Sequence, residues 1–184
     1  FKYLFPSTTA CLQHPGNYPV LTLLTLAMEN SDLRIAQEKT LTPAFLLAVL
    51  LWYPFLFELW EESKTTADPH LDTVMHRVLR KQQQLMSIPK RFSLAAQEIW
   101  RLQFRLEKRQ PRMINRLFHH LRFRAAYDFL LLRAAAGEPV KELAEWWTTY
   151  HDAPETERQA MVKALSTPQG QKRRSRKRKR KLLS

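Results

Sequence analysis

Apolar residues in this chain recur every three to four positions almost throughout, and no useful run alternates with a period of two. A three-to-four step lines apolar side chains along one stripe of a helix, whereas a half-buried strand needs strict alternation. The chain therefore reads as all-α. Its prolines agree. Thr42-Pro43 offers an N-cap and a proline at the first helical position, where a missing N–H does no harm. That helix is expected to run to about Tyr53, with Pro54 kinking or stopping it. Asp68-Pro69 is a second start of the same kind, and Ile88-Pro89 ends the stripe of Leu71, Val74, Met75, Val78 and Leu79.

Ser93 is expected to cap a helix that buries Ile99, Leu102 and Leu106 and breaks at Pro111. Met113, Ile114, Leu117, Phe118 and Leu121 form the next stripe. Phe123, Tyr127, Leu130 and Leu131 form another, stopped by Gly137 and Pro139. Leu21, Leu24 and Met28 mark an early helix, and Leu143, Trp146, Trp147 and Tyr150 a penultimate one. Glu155 and Glu157 sit where carboxylates offset the positive end of a helix. The expected fold is an irregular helical bundle of about seven to eight helices, without internal repeat. A disordered basic tail is expected to follow it, beyond a hinge at Ser166-Thr167-Pro168-Gln169-Gly170.

With 184 residues, 45% of them hydrophobic, the chain can bury a sizeable core. Three glycines exclude a Walker loop and a dinucleotide fingerprint, which need clustered glycine. One cysteine, Cys11, excludes an intramolecular disulfide framework. The uncharged stretch from Thr40 to Phe57 is 18 residues long, at the lower limit for a membrane span. Two prolines interrupt it and three glutamates follow, so it reads as a buried core helix. The start, Phe-Lys-Tyr-Leu-Phe-Pro, has neither an initiator methionine nor a signal-peptide pattern. The chain reads as a piece of something longer.

Carboxylates suited to paired-metal chemistry are absent from the pattern: no Asp-x-Asp occurs, and Glu155-x-Glu157 opens a helix. His119 and His120 point about 100° apart on a helix and would not share one ion. Cys11 and His14 are expected in a loop without a carboxylate partner.

The formal charge is +13, and two segments hold it. Residues 90–124 carry ten basic and two acidic side chains, and residues 172–184 carry nine basic and none acidic. Eight of the first ten are arginine, whose planar fork grips phosphate in a bidentate manner and stacks on bases. Arg101, Arg105 and Arg109 are spaced four and four, as are Arg112 and Arg116, away from the stripe of Ile99, Leu102 and Leu106. Only Glu98 and Glu107 lie within the segment to offset them. The expected nucleic-acid-contact residues are therefore Lys90, Arg91, Arg101, Arg105, Lys108, Arg109, Arg112, Arg116, Arg122 and Arg124. The tail adds Lys172, Arg173, Arg174, Arg176, Lys177 and Arg178. Nothing resembles a groove-reading motif, so binding is expected to be phosphate-driven and salt-sensitive. Phe92, Trp100, Phe104, Phe118 and Phe123 interleave with the arginines, and their helical spacing reads as core.

Ile88-Pro89-Lys90-Arg91-Phe92, Ile99-Trp100-Arg101-Leu102-Gln103, Phe123-Arg124-Ala125-Ala126-Tyr127-Asp128-Phe129-Leu130, Leu132-Arg133-Ala134 and Glu145-Trp146-Trp147 together resemble the C-terminal region of bacterial poly(A) polymerases. Leu4-Phe5-Pro6, Pro43-Ala44-Phe45-Leu46 and Trp52-Tyr53-Pro54 fit the same family, within the class II nucleotidyltransferases. The resemblance implies a cytoplasmic enzyme that adds adenylates from ATP, with Mg²⁺, to RNA 3′ ends. Its catalytic head would precede Phe1, and none of that head's motifs occurs here. By this reading residues 1–40 end the preceding helical body, 41–166 form the arginine-rich domain and 167–184 the tail. The piece would hold RNA, have no cofactor of its own and be inactive alone. The alternative is a docking module for the head or for RNA-decay proteins.

Overall fold

The structure, a computed structural model, describes residues 1–14, 18–40 and 42–166. Among these residues the fold is all-α. Ten helices follow one another: α1 (Pro6–Gln13), α2 (Val20–Ala36), α3 (Pro43–Leu50), α4 (Trp52–Thr65), α5 (Leu71–Gln83), α6 (Lys90–Lys108), α7 (Pro111–Phe118), α8 (Phe123–Ala135), α9 (Lys141–Asp152) and α10 (Glu155–Ser166). The expected hinge beyond Ser166, the expected tail and its six candidate contact residues lie outside the described residues.

Ten helices rather than seven or eight reflect two places where periodicity was a poor guide. Pro6 opens α1 at its first position, and α1 buries only Thr8, whose hydroxyl donates to the Leu50 carbonyl at 2.8 Å. Cys11 therefore stands on a helix, and His14 is that helix's C-cap. The apolar stretch after Thr42 divides at Leu51, and α3 and α4 meet at a 45° bend. Pro54 does not end a helix. It is the third residue of α4, within the first turn, where no backbone partner is lost.

Other boundaries move for similar reasons. His70, not Asp68, caps α5. Pro89, not Ser93, caps α6, and the Ser93 hydroxyl donates back to the Lys90 carbonyl at 3.0 Å. Arg109 takes a left-handed conformation (φ 39°) to close α6, and Pro111 opens α7. Gly137, at φ 96°, closes α8 as expected.

Two apolar clusters form the interior. The first joins α2, α3, α4 and α5 around Leu23, Trp52, Phe55, Met75 and Trp100, with the Phe55 and Trp100 rings stacked at 4.9 Å. The second joins α7, α9 and α10 around Leu106, Ile114, Leu130 and Trp147. Helices α6 and α8 serve both: Ala125, Phe129 and Leu132 of α8 join the first cluster, and Phe123, Ala126, Tyr127 and Leu130, on a neighbouring face, join the second. The α3–α4 pair lies in the first cluster, with Ala48, Val49, Trp52 and Phe55 almost fully buried. Among the described residues no single helix is long and apolar enough to cross a membrane.

Two expected core stripes face outward in part. Leu21 and Met28 are 66% and 40% exposed, and α2 buries Val20, Leu23, Leu24 and Ala27 instead. Leu121 lies beyond the end of α7 and is 87% exposed.

Candidate nucleic-acid interface

Helix α6 is amphipathic because its apolar residues keep a three-to-four step over five turns. At about 100° per residue, Lys90, Arg91, Leu94, Glu98, Arg101, Arg105 and Lys108 fall within one arc of roughly 100°. The remainder of the helix turns Ala95, Ala96, Ile99, Trp100, Leu102 and Leu106 into the interior. The cationic arc runs about 27 Å from Lys90 to Lys108 at 1.5 Å per residue. Beyond the Arg109 turn, Arg112 and Arg116 stand one turn apart on the exposed side of α7, opposite buried Ile114 and Leu117.

The ten cations of this segment do not share one environment. Lys90, Arg91, Arg105, Lys108, Arg112, Arg116 and Arg124 are exposed. Arg101, Arg109 and Arg122 are half-buried. Arg101 donates through Nε to Asp72 of α5 at 2.6 Å and through a terminal nitrogen to Gln97 at 3.3 Å. Arg122 reaches Glu98 at 3.4 Å, and Arg124 pairs with Asp128 one turn along α8 at 3.0 Å. Glu107, the other acidic residue of the segment, pairs with Arg133 at 3.3 Å. Asp72 and Asp128 thus supply compensation that the segment's own composition does not show.

Arg109 leaves the row its spacing suggests. Helix α6 stops at Lys108, so Arg109 no longer follows Arg101 and Arg105 on one face. Its Nε is buried, and its guanidinium lies 5.5 Å from the centre of the Trp146 ring. Among the described residues no carboxylate pairs with Lys90, Arg91, Arg105, Arg112 or Arg116.

The N-terminus of α6 adds an electrostatic term. Lys90 and Arg91 are its first two residues, and its first turn has no acidic side chain. Cations beside the positive end of a helix dipole are unfavourable by a few tenths to about 1 kcal/mol each. An anion brought to that end would reverse the sign.

The interleaved aromatics are interior, as their spacing suggests. Trp100 and Phe123 are 0% and 5% exposed, and Phe92, Phe104 and Phe118 pack against the clusters. His119 contacts the Asn115 carbonyl, and His120 Nδ1 accepts the Arg122 N–H at 3.1 Å. Both therefore serve the α7–α8 turn. Among the described residues no three His, Cys, Asp or Glu side chains gather where they could hold a metal ion.

One arginine, outside the expected contact residues, has a structural role. Arg133 is almost fully buried and donates to Glu138 at 2.8 Å and Gln103 at 3.0 Å. Its place between Leu132 and Ala134, inside an apolar stripe, is the only sequence signal for that role.

Known proteins resemble this chain over most of its length. Residues 63–181 match the family model described as the polymerase A arginine-rich C-terminus. Poly(A) polymerase I of Escherichia coli O157:H7 is 32% identical over 181 residues, 96% of this chain and 39% of that protein. The enzyme of the same name from Salmonella typhi is 33% identical over 186 residues, 98% of this chain and 40% of that protein. That from Haemophilus influenzae is 29% identical over 167 residues, 88% of this chain. The chain spans about two fifths of the length of these relatives. With its arginine face on α6 and α7 inside the matched region, the chain belongs to the family of polymerase A arginine-rich C-termini.

Proposed function

We propose that this chain holds RNA for a poly(A) polymerase, keeping the strand near an active site that another part of such an enzyme supplies. The carrying observation is the set of exposed cations on α6 and α7, with Lys90, Arg91, Arg105, Arg112 and Arg116 free of carboxylate partners among the described residues. Self-repulsion among such cations is relieved when phosphates approach them. Arginine dominates the set, which suits bidentate phosphate contacts.

The interior placement of the aromatic rings argues against a base-stacking platform on this face. Backbone contacts then carry the affinity, and sequence preference is weak. The basic tail from Lys172 to Lys181 would extend the reach of the same interaction. In this reading the paired carboxylates, Mg²⁺ and ATP belong to the catalytic part, and the present side chains perform no bond-making step. Their effect is to raise the local concentration of RNA through successive additions.

The test is RNA affinity of this chain at about 50 and 200 mM salt, where each phosphate contact to a single strand contributes a slope near −0.7. Arg105→Glu with Arg116→Glu should weaken binding at least tenfold at low salt and flatten the slope. Binding that ignores both salt and these substitutions would overturn the proposal.

A further inference from the structure

Helix α2 carries a stripe that its own fold leaves uncovered. Leu21, Met28 and Ile35 are 66%, 40% and 57% exposed. They are spaced seven and seven, and each seven-residue step returns to within about 20° of the same direction. The stripe lies beside the buried residues Val20, Leu24 and Ser31, so it borders the packed face of the helix. It is about 21 Å long. Leu12 at the end of α1 and Tyr3 and Leu4 before α1 are also exposed. By contrast, the exposed large apolar residues from 90 to 166 are only Leu94, Leu121 and Leu131 among the described residues.

An apolar stripe at heptad spacing is what a helix presents to a second helix lying along it. RNA is a poor match, because the three stripe positions carry no cation. We propose that the Leu21–Met28–Ile35 stripe is the seat of an amphipathic helix from the part of a poly(A) polymerase that this chain does not span. The relatives extend well beyond the matched two fifths, so such an enzyme has chain to place there. This inference rests on the polymerase reading above, though not on RNA contact. Helices α3 and α8 pack between α2 and α6. The seat and the cationic face therefore lie on helices with α3 and α8 between them, and RNA and the partner helix need not compete.

The test uses an intact enzyme in which this chain replaces the matching part of Escherichia coli poly(A) polymerase I. Leu21→Cys and Ile35→Cys are made singly in a Cys11→Ser background, and maleimide labelling rates are compared with those in the 184-residue chain alone. Labelling should be at least tenfold slower in the intact enzyme, while Arg105→Cys labels equally fast in both. Equal rates at Leu21→Cys and Ile35→Cys would overturn the proposal. Slow labelling in the chain alone that deepens with its concentration would assign the seat to a second copy and overturn the stated occupant. RNA affinity of the Arg105→Glu, Arg116→Glu form of the same enzyme reports separately on RNA holding. Loss of RNA affinity beside unprotected cysteines would leave that function standing and remove this seat. Protected cysteines beside unchanged RNA affinity would do the reverse.

Discussion

Arg133 Nε donates to Glu138 Oε2 at 2.8 Å, with both side chains more than nine-tenths buried. The other Glu138 oxygen accepts from Trp52 Nε1 at 3.1 Å and from the Tyr53 hydroxyl at 2.9 Å. The Arg133 guanidinium also lies 4.6 Å from the centre of the Trp52 ring. One ion pair thus ties α4, α6, α8 and the α8–α9 turn together where the two apolar clusters meet. Every polar group in it has a partner, which is the condition under which a buried pair is tolerated. Removing Arg133 leaves Glu138 buried without a cation, and removing Glu138 leaves the buried Arg133 with only the more exposed Glu107 at 3.3 Å. Glu138→Leu is expected to destabilise the chain by about 3–5 kcal/mol, and Arg133→Met similarly. The double substitution should cost far less than the sum, read by denaturant unfolding as a double-mutant cycle.

Tyr53 gives this network a pH dependence. Burial, then the Glu138 charge and the hydrogen bond to it, push the Tyr53 hydroxyl far above its ordinary range. Tyr150 is also raised, first by burial and then by Glu155. A raised acid in the folded state stabilises fully below the unfolded value, near 10, and loses that contribution as pH rises beyond it. Stability should therefore be flat with respect to these tyrosines up to about pH 9 and fall above about pH 10. Tyr53→Phe should shallow the fall, measured as the denaturation midpoint against pH.

Trp147 and Trp146 are neighbours with different fates. Trp147 is 0% exposed and donates Nε1 to the Leu106 carbonyl at 3.2 Å. Trp146 is half-buried beside Arg109 and stacks on Tyr150. Trp147→Ala should cost about 3–5 kcal/mol, the range for a large core truncation. Trp146→Ala should cost clearly less, and thermal melts of the two variants decide the order.

Under the proposed RNA-holding function, Asp72 would compete with phosphate for Arg101. The pair is partly exposed, with side-chain exposures of 29% and 65%, so it is worth at most about 1 kcal/mol. Asp72→Asn should leave stability within about 0.5 kcal/mol. It should tighten RNA binding by roughly two- to fivefold at low salt and steepen the salt slope by about 0.7, the contribution of one more phosphate contact. A salt titration of the variant beside the parent measures both.

The helices that could be read from sequence are those whose stripe is one-sided and continuous. Val74, Met75, Val78 and Leu79 are all buried in α5, and Ile99, Leu102 and Leu106 in α6. Their spacing left no second solution, because only one face of each helix could be apolar. Helix α1 and the α3–α4 bend were harder. Helix α1 is eight residues with one buried threonine, and the stretch around Leu51 is apolar on every side. A segment that is buried all round has no face to betray where the axis turns. The cationic face was legible as composition, since its ten cations outnumber two carboxylates. Which of those cations stay available was not, because Asp72 and Asp128 come from outside the segment.

Amino-acid order alone determined the helical class, the segregation of charge and the arginine face of α6. These depend on residue type and on spacings of three to four, and both are local properties. Tertiary structure decided which arginines are spent inside the molecule and which apolar stripes are left outside it. Arg133 was drawn into the core by Glu138, five residues away across a turn that Gly137 closes. Leu21, Met28 and Ile35 were left on the surface because α3 and α8 engage the adjoining arc of α2. Burial is settled by which elements meet, and long-range packing carries that information in contacts that no single helix contains.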